Sequence, residues 1–285
     1  MANRSLGILH PGEMGISIAA SAQNSGCDVY WVSEGRSHAT RERAARFGLR
    51  EAHTLEEMIA QCAVVISVCP PHAAESLAHD VVDVGFEGLF VEANAIAPDR
   101  TMSIGAAMTQ HGVDFVDGGI IGLPAWSPHA TCLYLSGPRA DDVTPYFSAG
   151  PLDTQVLGPD IGKASALKMC YAANNKGTVA LLAAVIATAE GLGVREALFD
   201  RWRSEDATLP DRTVKRIQNS APKAWRFVGE MEQISHTFNL AGTPGDFHTG
   251  AAAIYERLAL FKDTQPPPTL EDLLHALRAF EDSRT

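Results

Sequence analysis

Lys168 is where the sequence most readily places chemistry. It lies in the stretch Pro159 to Gly193, PDIGKASALKMCYAANNKGTVALLAAVIATAEGLG, which is rich in Ala, Leu, Met and Val. Pro159 and Asp160 suit the start of a helix, and Gly191 and Gly193 mark its end. Such a helix would run about thirty residues, or roughly 45 Å. Its second half, Val179 to Ala189, is apolar on every face, which predicts burial. The apolar run is well short of the ~20 residues of a membrane span. Into this helix the chain puts Lys168, Asn174, Asn175 and Lys176. A lysine there is unfavourable unless an anion or a reaction meets it. Apolar surroundings lower a lysine's pKa towards the working range, so Lys168 is a candidate proton donor. A lysine snorkelling to solvent is the plainer alternative. Tyr171, one turn on, is either a second donor or a core aromatic.

A second constellation opens the chain. Residues 5–9, SLGIL, have strand character and lead into His10, Pro11, Gly12, Glu13, Met14 and Gly15. ISIAASAQNSG and DVYWVS follow, so the order is strand, Gly-rich turn, helix, strand. In that context a GxGxxG turn holds a dinucleotide pyrophosphate at the helix N-terminus. Gly12 would let the pyrophosphate approach the backbone, and Gly15 would let the helix pack on the strand. His10 stands where the first glycine is expected. An ordinary strand–helix turn is the competing reading.

The second strand ends at Ser33, followed by Glu34, Gly35, Arg36 and Ser37. Arg36 with two serines suits a 2′-phosphate, because a guanidinium donates paired hydrogen bonds and neutralises charge. Glu34 is the rival feature, as the acid that binds ribose hydroxyls in NAD enzymes; a solvated loop is the bland reading. The sequence therefore predicts NADP, with NAD possible. Later strand ends add Cys69, Pro70, Pro71 and Asn94 as cofactor contacts. His10 and His72 are equally readable as satisfied turn histidines.

These residues need elements to position them. Strands are predicted at 64–68, 88–94, 113–119, 131–137 and 154–157, and helices at 55–62, 72–81 and 99–111. Alternating strands and helices specify an α/β, doubly wound, mostly parallel sheet, with ligands at the strands' carboxyl ends. After Gly193 the pattern is helical only, at 195–203, 222–240 and 250–262. The second of these carries Ala224, Phe227, Val228, Met231 and Phe238 on one face. Its other face, with Arg226, Glu230, Gln233 and Thr237, reads as a solvated polar stripe. A last helix starts at Thr269 with Asp272 as a capping-box variant, its apolar face formed by Leu270, Leu273, Leu274, Leu277 and Phe280. The expected organisation is a Rossmann domain at 1–158 and an all-helical substrate and dimerisation domain at 159–285, joined by the long helix as a spine.

Composition limits the function classes. The 285 residues are 46% hydrophobic and 20% charged, ordinary for a soluble globular protein. A net charge of −11 argues against nucleic acid or an anionic membrane as partner. The opening residues form no apolar signal core, which suggests a cytoplasmic protein. Cys27, Cys62, Cys69, Cys132 and Cys170 form no CxxC pair and read as reduced thiols. No HxxxH or HExxH spacing occurs among the ten histidines, so no metal is expected.

Together these motifs resemble the β-hydroxyacid dehydrogenase and 6-phosphogluconate dehydrogenase superfamily. Its GxGxMG turn is matched by Gly12, Met14 and Gly15. Its DxSTxxP signature is matched in VEANAIAP by Glu92, Asn94, Ala95 and Pro98. Its substrate loop, DxPxSGG, falls on Asp117 to Leu123, and its KxxNN helix begins at Lys168. The resemblance implies hydride transfer with Lys168 as the catalytic lysine. Three departures bear on the substrate. Ile121 replaces the loop serine, Leu123 replaces its last glycine, and Tyr171 and Ala172 replace the two asparagines. Asn175, a turn further on, is a candidate substitute. With Ile121 and Gly122 it makes up the expected substrate contacts, for a compound other than the usual short 3-hydroxy acid. KAWRFVGEMEQISHTF and FHTGAAAIYERLA look like a branch with a phosphogluconate-dehydrogenase-like C-terminal domain of unassigned substrate. The alternatives are an imine reductase, against which Lys168 counts, and a nucleotide-binding regulator without chemistry.

Overall fold

The computed structural model describes residues 4–278, so Phe280 of the last predicted helical face lies outside the described residues. The chain divides into two compact units that meet in sequence after Met169.

The first unit is built on an eight-stranded sheet of order β3-β2-β1-β4-β5-β6-β7-β8. The strands are β1 Arg4–Leu9, β2 Cys27–Val32, β3 Arg50–Ala52, β4 Val64–Ser67, β5 Leu89–Glu92, β6 Asp114–Gly122, β7 Thr131–Ser136 and β8 Leu152–Val156. All pair in parallel except β6 with β7, which run antiparallel. Near-continuous apolar runs such as VVIS and LFVE are what a sheet covered on both faces requires. One face packs under α1 (Glu13–Asn24), with Ile16, Ile18 and Ala22 against Leu6, Ile8 and Val29. Residues of α3 (Leu55–Ile59), α4 (Ala74–Asp83) and α5 (Pro98–Gln110) join Val65, Phe90 and Phe115 on the other. The strand order reverses its direction of travel between β1 and β4. That reversal is the topological switch point, and the Gly-rich turn follows β1 there.

Two elements escaped the sequence pattern, α2 (His38–Arg46) and β3. Only Ala44 of α2 is buried, so HATRERAAR shows no apolar stripe, and β3 is three residues long. A third difference is the start of the long helix. It begins not at Pro159 or Asp160 but at Lys163, as α6 (Lys163–Ala172). Gly158 and Gly162, at φ of 121° and 99°, keep the preceding residues out of the helix.

From Cys170 to Arg278 the fold is built of helices. A π-helical segment, Ala173–Gly177, joins α6 to α7 (Thr178–Gly191). Then come α8 (Arg195–Glu205), α9 (Leu209–Ser220), α10 (Ala224–Leu240), α11 (Asp246–Leu258) and α12 (Leu270–Arg278). The expected burial of α7 on every face is corrected: Leu181 is 46% exposed and Leu182, Ala184 and Val185 are only half-buried. A uniformly apolar helix names no face, so composition could not show which side is left uncovered. The solvated stripe of α10 is corrected too. Thr237 is buried, and Glu230 pairs with Lys176. The capping box of α12 forms as expected, with Asp272 N–H donating to Thr269 Oγ1 at 3.2 Å and Thr269 N–H to Asp272 Oδ2 at 3.0 Å.

Candidate active site

The turn after β1 separates what its glycines do for the fold from what they leave open. A Cβ on Gly15 would stand 2.4 Å from the His10 carbonyl oxygen, so packing of α1 on the turn demands glycine there. A Cβ on Gly12 would meet only that oxygen, at 4.0 Å. Among the described residues nothing needs Gly12 to be glycine; the space in front of the N-terminus of α1 is kept clear. That is the cradle a pyrophosphate fits.

His10 takes the missing glycine's place with φ of 70°, in the left-handed region. Its Nε2 lies 2.8 Å from Arg36 Nη1. Burial, reinforced by the Arg36 charge, pushes the imidazole down to about 4, so it is neutral near pH 7. A guanidinium can only donate, so Nε2 is the acceptor and Nδ1 carries the proton. Both that Nδ1 and Arg36 Nε are buried without a partner among the described residues. Two orphaned donors beside a cleared helix N-terminus fit an anionic ligand.

The other cofactor candidates divide by what already occupies them. The Ser33 carbonyl accepts from Arg41 Nη2 at 2.6 Å, and the Pro11 carbonyl from Arg43 Nη1 at 3.3 Å. Ser37 Oγ caps α2, accepting from Thr40 N–H at 3.3 Å. Glu13 and Glu34 are exposed, and Met14 packs half-buried against the core. Asn94 staples two strand ends: Oδ1 accepts from Cys69 N–H, and Nδ2 donates to Ser67 Oγ at 2.8 Å. Burial pushes the Cys69 thiol up to about 12 and keeps it protonated. Pro70 and Pro71 open the short turn into α4.

The lysine is held by β6. The buried Asp117 carboxylate accepts from Gly162 N–H at 2.9 Å, Ala164 N–H at 3.0 Å, Ser165 N–H at 3.1 Å, Ser165 Oγ at 2.5 Å and Ser136 Oγ at 2.9 Å. It thus caps α6 from a strand 45 residues upstream, where the sequence pointed to Asp160. Two residues on, Gly119 lets helix and strand touch: a Cβ there would stand 2.6 Å from Ala164 O and 3.3 Å from Lys168 Cβ. Lys168 Nζ then donates to the Ile120 carbonyl at 2.7 Å. The sequence signalled the glycines and the lysine but not the role of Asp117.

Beside Asp117, paired with it across the strands, Glu92 is buried with Oε2 unpartnered. Burial, against hydrogen bonds from Asn94, pushes its carboxyl up to about 8. The folded chain therefore keeps a proton on Glu92 that an unfolded chain, titrating near 4.5, has lost. Glu92's contribution to stability is expected to fall as pH rises from about 5 to about 8, against the opposite contribution of His10 below about 6.5. Glu92→Gln, already neutral, should flatten that slope when urea midpoints are compared across the range.

Ile121 and Gly122 end β6. Ile121 is half-buried opposite Cys132, and Gly122, at φ of 132°, is glycine because a Cβ would stand 2.3 Å from Ala130 O. Tyr171 and Asn175 belong to the second unit. Tyr171 is 44% exposed. Asn175 lies in the π segment, where its carbonyl and Oδ1 accept from Arg216 Nη2 at 2.9 and 2.5 Å. The neighbouring Lys176 carbonyl accepts from Tyr255 OH at 2.8 Å. The Lys176 ammonium meets the Glu230 carboxylate and lies 4.6 Å from the centre of the Phe227 ring. These partners satisfy what a π turn and a lysine in an apolar helix leave open.

A switch-point turn with a cleared helix N-terminus, in one unit with a strand-held lysine, defines a dinucleotide-binding α/β protein. Residues 5–146 match the NAD binding domain of 6-phosphogluconate dehydrogenase, and residues 189–258 a domain of unknown function, DUF1932. The chain belongs to the 6-phosphogluconate dehydrogenase-like family, in the branch that carries this second domain. An uncharacterized 28.5 kDa protein of Methanothermus fervidus is 24% identical over 217 residues, 75% of this chain and 84% of that one. MTH1747, a conserved protein of unknown function described as structurally similar to 3-hydroxyacid dehydrogenases, superposes with a TM-score of 0.68 at 27% identity, over 89% of this chain and 96% of its own. The 3-hydroxyisobutyrate dehydrogenase of Mycobacterium tuberculosis shares the fold at 18% identity and a TM-score of 0.70, over 97% and 100%. Imine reductases share it less closely, at a TM-score of 0.57.

Proposed function

We propose that this protein is an NADP-dependent oxidoreductase that moves a hydride between the nicotinamide and a small carbonyl or hydroxy compound, with Lys168 as general acid and base. The observation that carries this is the anchoring of Lys168. Its ammonium rests on the Ile120 carbonyl at 2.7 Å, on a helix clamped to the carboxyl end of β6. In a doubly wound sheet, ligands sit beyond the carboxyl ends of the strands. When bound, the cofactor supplies or accepts the hydride at its nicotinamide carbon. Lys168 holds the proton that a carbonyl oxygen must gain as it becomes an alcohol, and takes it back in the reverse direction. The Ile120 carbonyl takes one of the three ammonium hydrogens and so holds the ammonium in place, leaving the others for a substrate.

Tyr171 is the second candidate donor, and Ile121, Gly122 and Asn175 belong to the substrate reading. With Ile121 and Ala172 where relatives carry polar groups, the substrate is not a short 3-hydroxy acid. The imine reductase reading is weaker at Lys168. Binding of NADPH without turnover across a broad carbonyl panel, unaltered by Lys168→Ala, would instead favour a regulator. A division of labour between residues 1–158 for the cofactor and 159–285 for substrate and dimer contacts belongs to the same proposal.

NADP preference rests on Arg36. Its guanidinium is half-buried at the end of β2, with Nε lacking a partner. Arg36→Ala should weaken NADPH binding by about 1–3 kcal/mol, the contribution of a charge-assisted hydrogen bond, and leave NADH nearly unchanged. Calorimetric titration with both cofactors checks this; equal affinities in the wild type would refute it.

A further inference from the structure

We propose that His10, standing where dinucleotide-binding turns carry their first glycine, is a specificity-determining positioning residue: it aims the Arg36 guanidinium, so that the two read the 2′-phosphate end of the cofactor as one unit. This rests on the NADP reading above and assigns it a second residue.

Three observations carry it. First, the turn does not need a side chain at position 10. The backbone there has φ of 70°, which glycine adopts freely and histidine only against steric resistance. A histidine held in that conformation calls for a use of its imidazole. Second, the imidazole is engaged. Nε2 accepts from Arg36 Nη1 at 2.8 Å, linking the end of β1 to the loop after β2. Arg36 carries three rotatable methylenes, and a fixed acceptor at one end of its fork removes most of that freedom before any ligand arrives. Third, the pair is unfinished. His10 Nδ1 and Arg36 Nε, on the two joined side chains, are buried donors without partners among the described residues, whose buried polar groups are otherwise mostly satisfied. Unmet donors of this kind suit phosphate oxygens, which accept without donating.

Other charged groups near the pair do not take over this role. Arg41 is spent on the Ser33 and Arg36 carbonyls, at 2.6 and 3.4 Å, and Arg43 on the Pro11 carbonyl. Glu34 is exposed, and no hydrogen bond joins its carboxylate to Arg36.

The test is a binding experiment that needs no substrate. Dissociation constants for NADPH and NADH are measured by titration for the wild type, His10→Gly, His10→Asn, Arg36→Ala and the double variant His10→Gly/Arg36→Ala. Melting temperature serves as the folding control, and His10→Gly should not lower it, since glycine accepts the turn's backbone. The preference for NADPH over NADH should shrink roughly three- to tenfold in His10→Gly, the range of one net hydrogen bond. It should shrink less in His10→Asn, which tolerates a positive φ and offers an acceptor oxygen. In the Arg36→Ala background, His10→Gly should change the preference no further, because nothing is left to aim. A His10→Gly variant that keeps the full preference, while Arg36→Ala loses it, would overturn this inference and leave the NADP reading standing. So would equal losses for both cofactors, which would assign His10 to the turn alone. A wild type with no preference would overturn both.

Discussion

Lys168→Met is expected to fold, to bind NADPH as the wild type does, and to lose about 10²–10⁴ in turnover, the usual contribution of a general acid–base group. Methionine keeps the length and apolar stem of lysine while removing its proton. Lys168 follows the buried Ser165 on α6 and lies over Gly119, whose missing side chain leaves room for the lysine stem. An apolar replacement therefore fits the contact. The change does strip the Ile120 carbonyl of its donor, a loss of roughly 1 kcal/mol if water does not replace it. That is too little to unfold a domain whose sheet carries the cofactor turn on a different strand. Melting temperature and NADPH affinity thus serve as controls, and kcat as the readout once a turned-over carbonyl is found. Unaltered kcat would remove Lys168 from the chemistry and promote Tyr171. A collapse of NADPH affinity would show instead that the lysine serves binding.

The parts of this site that were legible in the sequence are those written in local pattern. Gly12, Met14 and Gly15 follow an apolar strand and open a helix, and the βαβ unit forms there as read. The lysine was legible because charge in an apolar helix is rare enough to stand out. What was not legible depends on partners distant in sequence. Local capping, the common solution, points to Asp160, the nearest acid upstream of α6. The actual acceptor is Asp117, brought in by a strand. Lys176, as anomalous in sequence as Lys168, is neutralised by Glu230 from α10, 54 residues on. Pattern alone could not tell the two lysines apart. His10 read as a defect in a glycine motif, yet in three dimensions it occupies the left-handed position and points at Arg36. The helix α2 went unread because its solvent-facing sequence carries no periodicity, although Ser37 begins it with an ordinary cap.

Asp117→Ala should have the largest effect on stability of any single change considered. An ordinary N-cap removed from a helix costs about 0.5–2 kcal/mol, because water reaches the freed amides. Here water does not reach them. Asp117 is fully buried, and so are Ser136, Ala164 and Ser165, whose groups it accepts from. Five donors lose their acceptor at once, and each buried donor left unmet costs about 1–3 kcal/mol. Relaxation and partial repair will recover part of the sum. Ser165 Oγ retains Thr101 Oγ1 at 2.8 Å, and Ala164 N–H retains Ser136 Oγ at 3.1 Å. A net loss of about 3–5 kcal/mol remains, the range seen when one side of a buried charged contact is removed. Asp117→Asn is the sharper comparison. It preserves volume, and its amide oxygen at the Oδ2 position would still accept from the Gly162, Ala164 and Ser165 N–H groups and the Ser136 hydroxyl. Its NH₂ at the Oδ1 position would oppose the Ser165 N–H and displace the Ser165 hydroxyl's donation, so it should recover part of the loss and not all of it. Burial raises the Asp117 carboxyl above its usual range while hydrogen bonds from Ser165, Ser136 and Gly162 oppose it; only the ionised form accepts from all five donors. Urea unfolding of the three proteins at neutral pH measures the effect directly. A midpoint for Asp117→Ala within about 1 kcal/mol of wild type, or full rescue by asparagine, would mean the carboxylate does not hold α6. The placement of Lys168 over β6 would then have to come from Gly119 and Ile120 alone.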